Sequence, residues 1–239
     1  MIPTLSFVVG FPEEETTDLD ETLFMALRTG IVGNSNPLIQ LPTLLPGTRL
    51  YERYLGQAVR KVDTYFALGL EFENGRRLQS DDALIDSSPA LFSSFYNLPS
   101  RARPLEELGL IAEYFPLMVR FYPRSFLLLS VDLRQSVSDL FIQWLFWLKE
   151  RLHRGSPSLA PQDCYQHFGD FFWHKVEGLG GLVRRHLPDI LRYETAALEA
   201  GKFPMDKGDE RGEEKRHRGQ DRGTEGQRHR STVRASSLP

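Results

Sequence analysis

Three side chains within one short stretch of this sequence could ligate a metal: Cys164, His167 and His174. On a helix, Cys164 and His167 share a face at a spacing of three, and His174 returns close to that face seven residues later. Zinc accepts such donors but requires a fourth ligand, which Asp163, Asp170 or water would have to supply. The segment is also crowded with Tyr165, Phe168, Phe171, Phe172 and Trp173. It therefore reads as core and helix surface, and no metal ligand is assigned. Cys164 is the sole cysteine, so an intrachain disulfide is excluded and any metal centre has one thiolate available. No motif supports a serine or cysteine protease.

A second region with chemical potential opens the chain. Leu5-Ser6-Phe7-Val8-Val9 is apolar and rich in β-branched residues, stops at Gly10-Phe11-Pro12 and reads as a buried strand of a parallel sheet. The acids and threonines Glu13 to Asp18 favour a helix start near Thr17, through the dipole and through capping of free amides. Leu19, Leu23, Ala26 and Leu27 then form one apolar stripe. Gly30, Gly33, Asn34 and Asn36 end that helix. A second strand follows at Pro37–Leu41, then a Pro46-Gly47-Thr48 turn and a helix from Leu50 to Leu55. This βαβα order predicts an α/β fold, parallel strands joined by a right-handed crossover, in a layer or a partial barrel. Two strands cannot close a barrel, so the sequence is expected to begin in the middle of an architecture whose earlier strands are absent, unless another chain or a shortened fold covers the exposed edge.

In combination these segments resemble the radical S-adenosylmethionine (radical SAM) superfamily. Val8-Val9-Gly10-Phe11-Pro12-Glu13-Glu14-Glu15-Thr16-Thr17-Asp18-Leu19 is similar to its "GFPGET" pattern, and Leu41-Pro42-Thr43-Leu44-Leu45-Pro46-Gly47-Thr48-Arg49-Leu50-Tyr51 to its next strand and "PGT-x-LY" turn. The resemblance covers residues 4 to 55. It implies the carboxy-terminal part of a barrel whose other part holds a [4Fe-4S] cluster on a CxxxCxxC loop and cleaves S-adenosylmethionine. It also implies that Val8 faces the adenine and that Gly10, Phe11, Pro12 and Glu14 form the turn at the barrel mouth. Glu13 replaces the family's second glycine and Glu15 its threonine, and glycine tolerates backbone angles that glutamate resists. The cluster loop is absent, and three thiolates are needed to hold it. The resemblance thus implies a fragment that holds neither cluster, S-adenosylmethionine nor cobalamin alone, and a partner segment supplying the cluster. The alternative is a non-catalytic interaction module that reuses a barrel remnant.

The rest of the chain carries organisation rather than chemistry. Residues 1–60 are the expected barrel part and 61–103 a linker, with a strand near 65–72 and an aromatic island at Phe92, Phe95 and Tyr96 pinning a loop. The Ser- and Asp-rich part of that linker is similar to cobalamin-associated members of the family. Residues 104–201 read as a helical domain. It comprises a helix from Pro104 with Leu105, Leu108, Ile111, Ala112 and Phe115 inward and a break or kink at Pro116, and a helix from Asp132 to His153 buried along Val137, Leu140, Phe141, Trp144, Leu145 and Leu148. Helices over Pro161 to Glu177 and 178–201 complete it. From residue 202 apolar residues nearly vanish, which predicts a disordered charged tail. A net charge of -3 over 239 residues, with pI near 6.1, argues against a nucleic-acid binder. No apolar run reaches membrane-spanning length, so a cytoplasmic protein is expected.

Overall fold

The computed structural model of the protein describes residues 3–33, 35–60, 79–151 and 161–200. Residues up to Ala196 form one compact unit, and the second, Ala197–Pro239, contributes only 197–200 to the described residues. The expected tail and the strand near 65–72 lie outside them.

β1 (Thr4–Val8) pairs in parallel with β2 (Asn36–Gln40), in register from Thr4 opposite Asn36 to Val8 opposite Gln40. The connecting α1 (Thr16–Gly33) starts where the Asp18 carboxylate accepts the Glu15 N–H at 3.0 Å. Its predicted stripe, Leu19, Leu23, Ala26 and Leu27, is completely buried. Gly30 lets α1 approach its neighbour closely, because a Cβ there would lie 2.7 Å from Val119 Cγ1. α2 (Arg49–Tyr54) follows the expected turn: Gly47 takes φ +80, and Thr48 Oγ1 accepts the Tyr51 N–H at 3.2 Å as an N-cap. A 3-10 turn, Leu55–Gln57, continues it.

The described part of the expected linker contains α3 (Gln79–Ser87) and a 3-10 turn at Ser93–Phe95. The Ser93 hydroxyl donates to Leu44 O at 2.7 Å, and Tyr96 packs against the small core of Leu44, Tyr54 and Leu98. Of the aromatic island, Tyr96 anchors the loop on that core, while Phe92 and Phe95 meet edge to face with ring centres 6.2 Å apart.

Helices α4 (Leu105–Phe121), α5 (Pro123–Leu133), α6 (Val137–Arg151), α7 (Pro161–Val176) and α8 (Gly181–Glu199) complete the described fold. α4 is the hub, packing on β2 and on α1, α5, α6 and α7. It runs unbroken through Pro116, so of the expected break or kink the break does not occur. The helix hydrogen bond lost at proline is outweighed here by burial of Ile111, Phe115, Met118 and Val119 on both sides of it. The expected helix from Asp132 is also corrected: Asp132 belongs to α5, which ends at Arg134 in the left-handed region (φ 51), and α6 starts at Val137. A cap from a distant residue fixes that start, since Asp20 Oδ1 accepts the Ser138 N–H at 2.9 Å. All six residues expected on the buried side of α6 are buried.

The parallel β-α-β unit stands as expected. Among the described residues, however, eight helices surround a single two-stranded sheet, so the fold is mostly helical. The expectation that β1 is a buried strand is overturned. Leu5 and Phe7 share the sheet face of Pro37 and Ile39, yet Leu5 is 38% and Val8 43% exposed while Ile39 is buried. The reason is coverage: α4 lies over β2, and among the described residues no strand pairs with the far edge of β1. No helix among the described residues is long and apolar enough to cross a membrane.

Candidate functional site

The turn that follows β1 is built by two residues. Gly10 adopts φ +92, which favours glycine, and the space is tight as well, since a Cβ there would stand 3.1 Å from Leu108 Cδ1 and 3.3 Å from Leu41 Cδ2. Four residues on, the Glu14 carboxylate folds back and accepts the N–H groups of Gly10 and of Phe11, the latter at 3.1 Å. The Glu14 N–H donates to Phe11 O at 3.1 Å, closing the loop. Partial burial raises the Glu14 carboxyl above its ordinary range, opposed by those two amides and reinforced by Asp18. Glu13, standing where the resembled pattern has its second glycine, is not among the positive-φ residues, so glutamate suits this turn.

Of the five residues singled out in the sequence, Gly10, Phe11 and Glu14 are joined by these hydrogen bonds. Val8 lies one step back on the strand, on the sheet face shared with Gln40, and is open to solvent. Phe11 is 40% exposed, and Pro12 turns toward a neighbouring cleft.

That cleft, about 440 Å³, lies at the carboxy-terminal end of the strands and is walled by three segments. Pro12 and Glu13 come from the β1–α1 turn, Arg53, Tyr54 and Gln57 from α2 and its extension, and Pro99, Ser100 and Arg101 from the loop before α4. Arg53 Nη2 pairs with Glu13 Oε1 at 3.1 Å, and its guanidinium carbon sits 5.0 Å from the centre of the Tyr54 ring. Arg101 Nη1 lies 3.6 Å from Glu15 Oε1. The loop is tied to α1 where Thr16 Oγ1 donates to Ala102 O at 3.0 Å. Sequence reading did not find Arg53 or Arg101. The available signal was the run Pro99-Ser100-Arg101-Ala102-Arg103-Pro104, two arginines between prolines.

The stretch considered for metal is dispersed. Cys164 is fully buried, Asp170 pairs with Arg151 at 3.1 Å, and His174 stacks on Trp147 with ring centres 6.2 Å apart. Among the described residues no group of three or more His, Cys, Asp or Glu is placed to hold a metal ion. A lone buried thiol does not fit a [4Fe-4S] cluster, which needs three thiolates.

Compared with models of protein families, with curated proteins and with solved structures, the chain matches none.

Proposed function

We propose that this chain is a wall segment of a radical SAM-type (β/α) barrel, working in the cytoplasm, whose Val8–Glu14 turn borders S-adenosylmethionine when a cluster-bearing segment pairs with β1. The observation that carries the reading is a contrast at one strand. The far edge of β1 has no partner strand among the described residues and its side chains are exposed, yet the turn at its carboxy-terminal end is fully formed. Ligands of open α/β sheets gather at that end of the strands. Gly10, Phe11 and Glu14 would shape the turn there, and Val8 would offer an apolar side chain to an adenine ring. The partner must supply the three cluster thiolates, and cobalamin, where used, as well.

The test is the coding sequence beside that of this chain, followed by co-expression. A neighbouring CxxxCxxC segment that co-purifies as a brown complex and cleaves S-adenosylmethionine is the expected result. The chain alone, reconstituted without oxygen, should remain colourless. A brown and active preparation of the chain alone overturns the proposal. The burial of the only thiol favours a second reading, an interaction module without catalysis. A stable partner that lacks the cluster motif is the result that selects it.

A further inference from the structure

The cleft beside the turn has more built into it than a barrel wall requires. Its volume, about 440 Å³, falls in the range of small-molecule sites, and three separate segments converge on it at the carboxy-terminal end of the strands. Two of its walls begin with prolines, Pro12 and Pro99, whose fixed φ limits their movement. Its lining carries two cations, Arg53 and Arg101, against one anion, Glu13.

We infer that this cleft binds a small ligand bearing an oxyanion, held by Arg53 and Arg101. The inference goes beyond the barrel reading and stands on the cleft alone. Each guanidinium has five donor hydrogens in a planar fork suited to carboxylate or phosphate, and among the described residues each makes one ion-pair contact, Arg53 with Glu13 and Arg101 with Glu15. Both acids come from the β1–α1 turn, and Glu13, which lines the cleft, sets its carboxylate where a ligand's oxyanion would bind Arg53. The Arg53 guanidinium also lies over the ring of the buried Tyr54, while its side chain stays 71% exposed and open to a ligand. Ser100 Oγ accepts the Ala102 N–H at 3.1 Å, leaving its hydroxyl hydrogen for a ligand oxygen. Binding then replaces the Glu13 contact on Arg53 by the ligand.

That exchange gives the test its sign. Inorganic phosphate and succinate are titrated separately into the full chain at constant ionic strength, following the arginine side-chain N–H signals by NMR. Saturable binding is expected for at least one of them. It should weaken about tenfold in Arg53→Gln and in Arg101→Gln, the scale of one charge-assisted hydrogen bond, and tighten in Glu13→Gln. Arg192→Gln, removing an exposed arginine paired with Asp189 elsewhere, should leave it unchanged. Saturation by phosphate alone assigns a phosphate ester, by succinate alone a carboxylate. No saturation with either, or equal weakening by Arg192→Gln, overturns the inference. Should the arginine variants lose cooperative melting, Glu13→Gln decides, and binding no tighter than in the parent chain refutes the site.

Discussion

The two halves of this fold bury their apolar residues by different means. In the helical half, α4, α5, α6 and α7 interlock through rings: Phe115 meets Phe126 and Phe141 at 5.8 and 5.7 Å between centres, and Trp144 meets Phe168 at 4.3 Å. Each of these side chains is fully buried by neighbours on the same chain. In the β half, β2 is covered by α4 while β1 presents Leu5 and Val8 to solvent. Among the described residues the interlocked rings of the helical half are buried, although Phe146 and Trp173 stay exposed, whereas β1 leaves two of its five residues' large apolar side chains, Leu5 and Val8, open. Burial is therefore concentrated in one part of the compact unit, and the proposed binding surfaces lie in the other.

Four measurements would break or sharpen that contrast. The largest effect is expected in the bundle. Trp144→Ala or Phe115→Ala should lower the unfolding free energy by about 3–5 kcal/mol in urea titrations, through lost transfer energy and a cavity. A loss below about 1 kcal/mol would mean that the rings are not the core they form here.

Next comes Glu194, which α8 inserts at the start of α5. Its carboxylate accepts from Arg124 N at 2.9 Å, Ser125 N at 3.3 Å and Ser125 Oγ at 2.6 Å. Burial nevertheless pushes its pKa up to about 7, against those hydrogen bonds and the Arg124 charge. A folded-state pKa above the unfolded value of 4.5 means that the native state binds more protons between them. The stability is therefore fully present below about pH 4.5 and is lost as pH rises through 7, by about 3 kcal/mol from this group. Unfolding titrations from pH 5 to 8 should show this decline, and Glu194→Gln should flatten it. An unchanged slope in the variant would assign the decline to another group.

A smaller effect is expected at the turn. Gly10→Ala combines the left-handed backbone penalty with contacts to Leu108 and Leu41, and should cost about 1–3 kcal/mol. Gly47→Ala, at φ +80 in open space, should cost less, about 1–2 kcal/mol. Equal losses would show that space at Gly10 contributes nothing. The smallest change is expected on β1, where Leu5→Ala and Val8→Ala should shift stability by about 0.5 kcal/mol or less in the isolated chain. Losses comparable to those of the bundle would deny that the strand is open.

Legibility followed the same division. The α1 stripe and the α6 stripe could be read residue by residue, because helical periodicity reports a face directly. The Gly47-Thr48 turn and cap were legible as well, being settled within four residues. The end of α5 at Arg134 was missed, since a non-glycine left-handed residue leaves no clear mark in the sequence. At the candidate site, Gly10 and Glu14 were found in one short motif, but Arg53 and Arg101 were not. They meet the turn from segments roughly forty and ninety residues away, and apart from the proline-flanked run around Arg101 nothing in their local sequence says so.

What the sequence determined by itself is local: where helices run, which faces are apolar, and that the first strand stops at Gly10 and Pro12. Such features depend on residues within about one or two helical turns of each other. Tertiary structure alone decided how much of β1 is covered, that Asp20 caps α6 and Glu194 caps α5, and that two arginines line one cleft with Glu13. Burial and long-range pairing depend on which surfaces the folded chain brings together, and an apolar strand has the same composition whether or not a neighbour covers it.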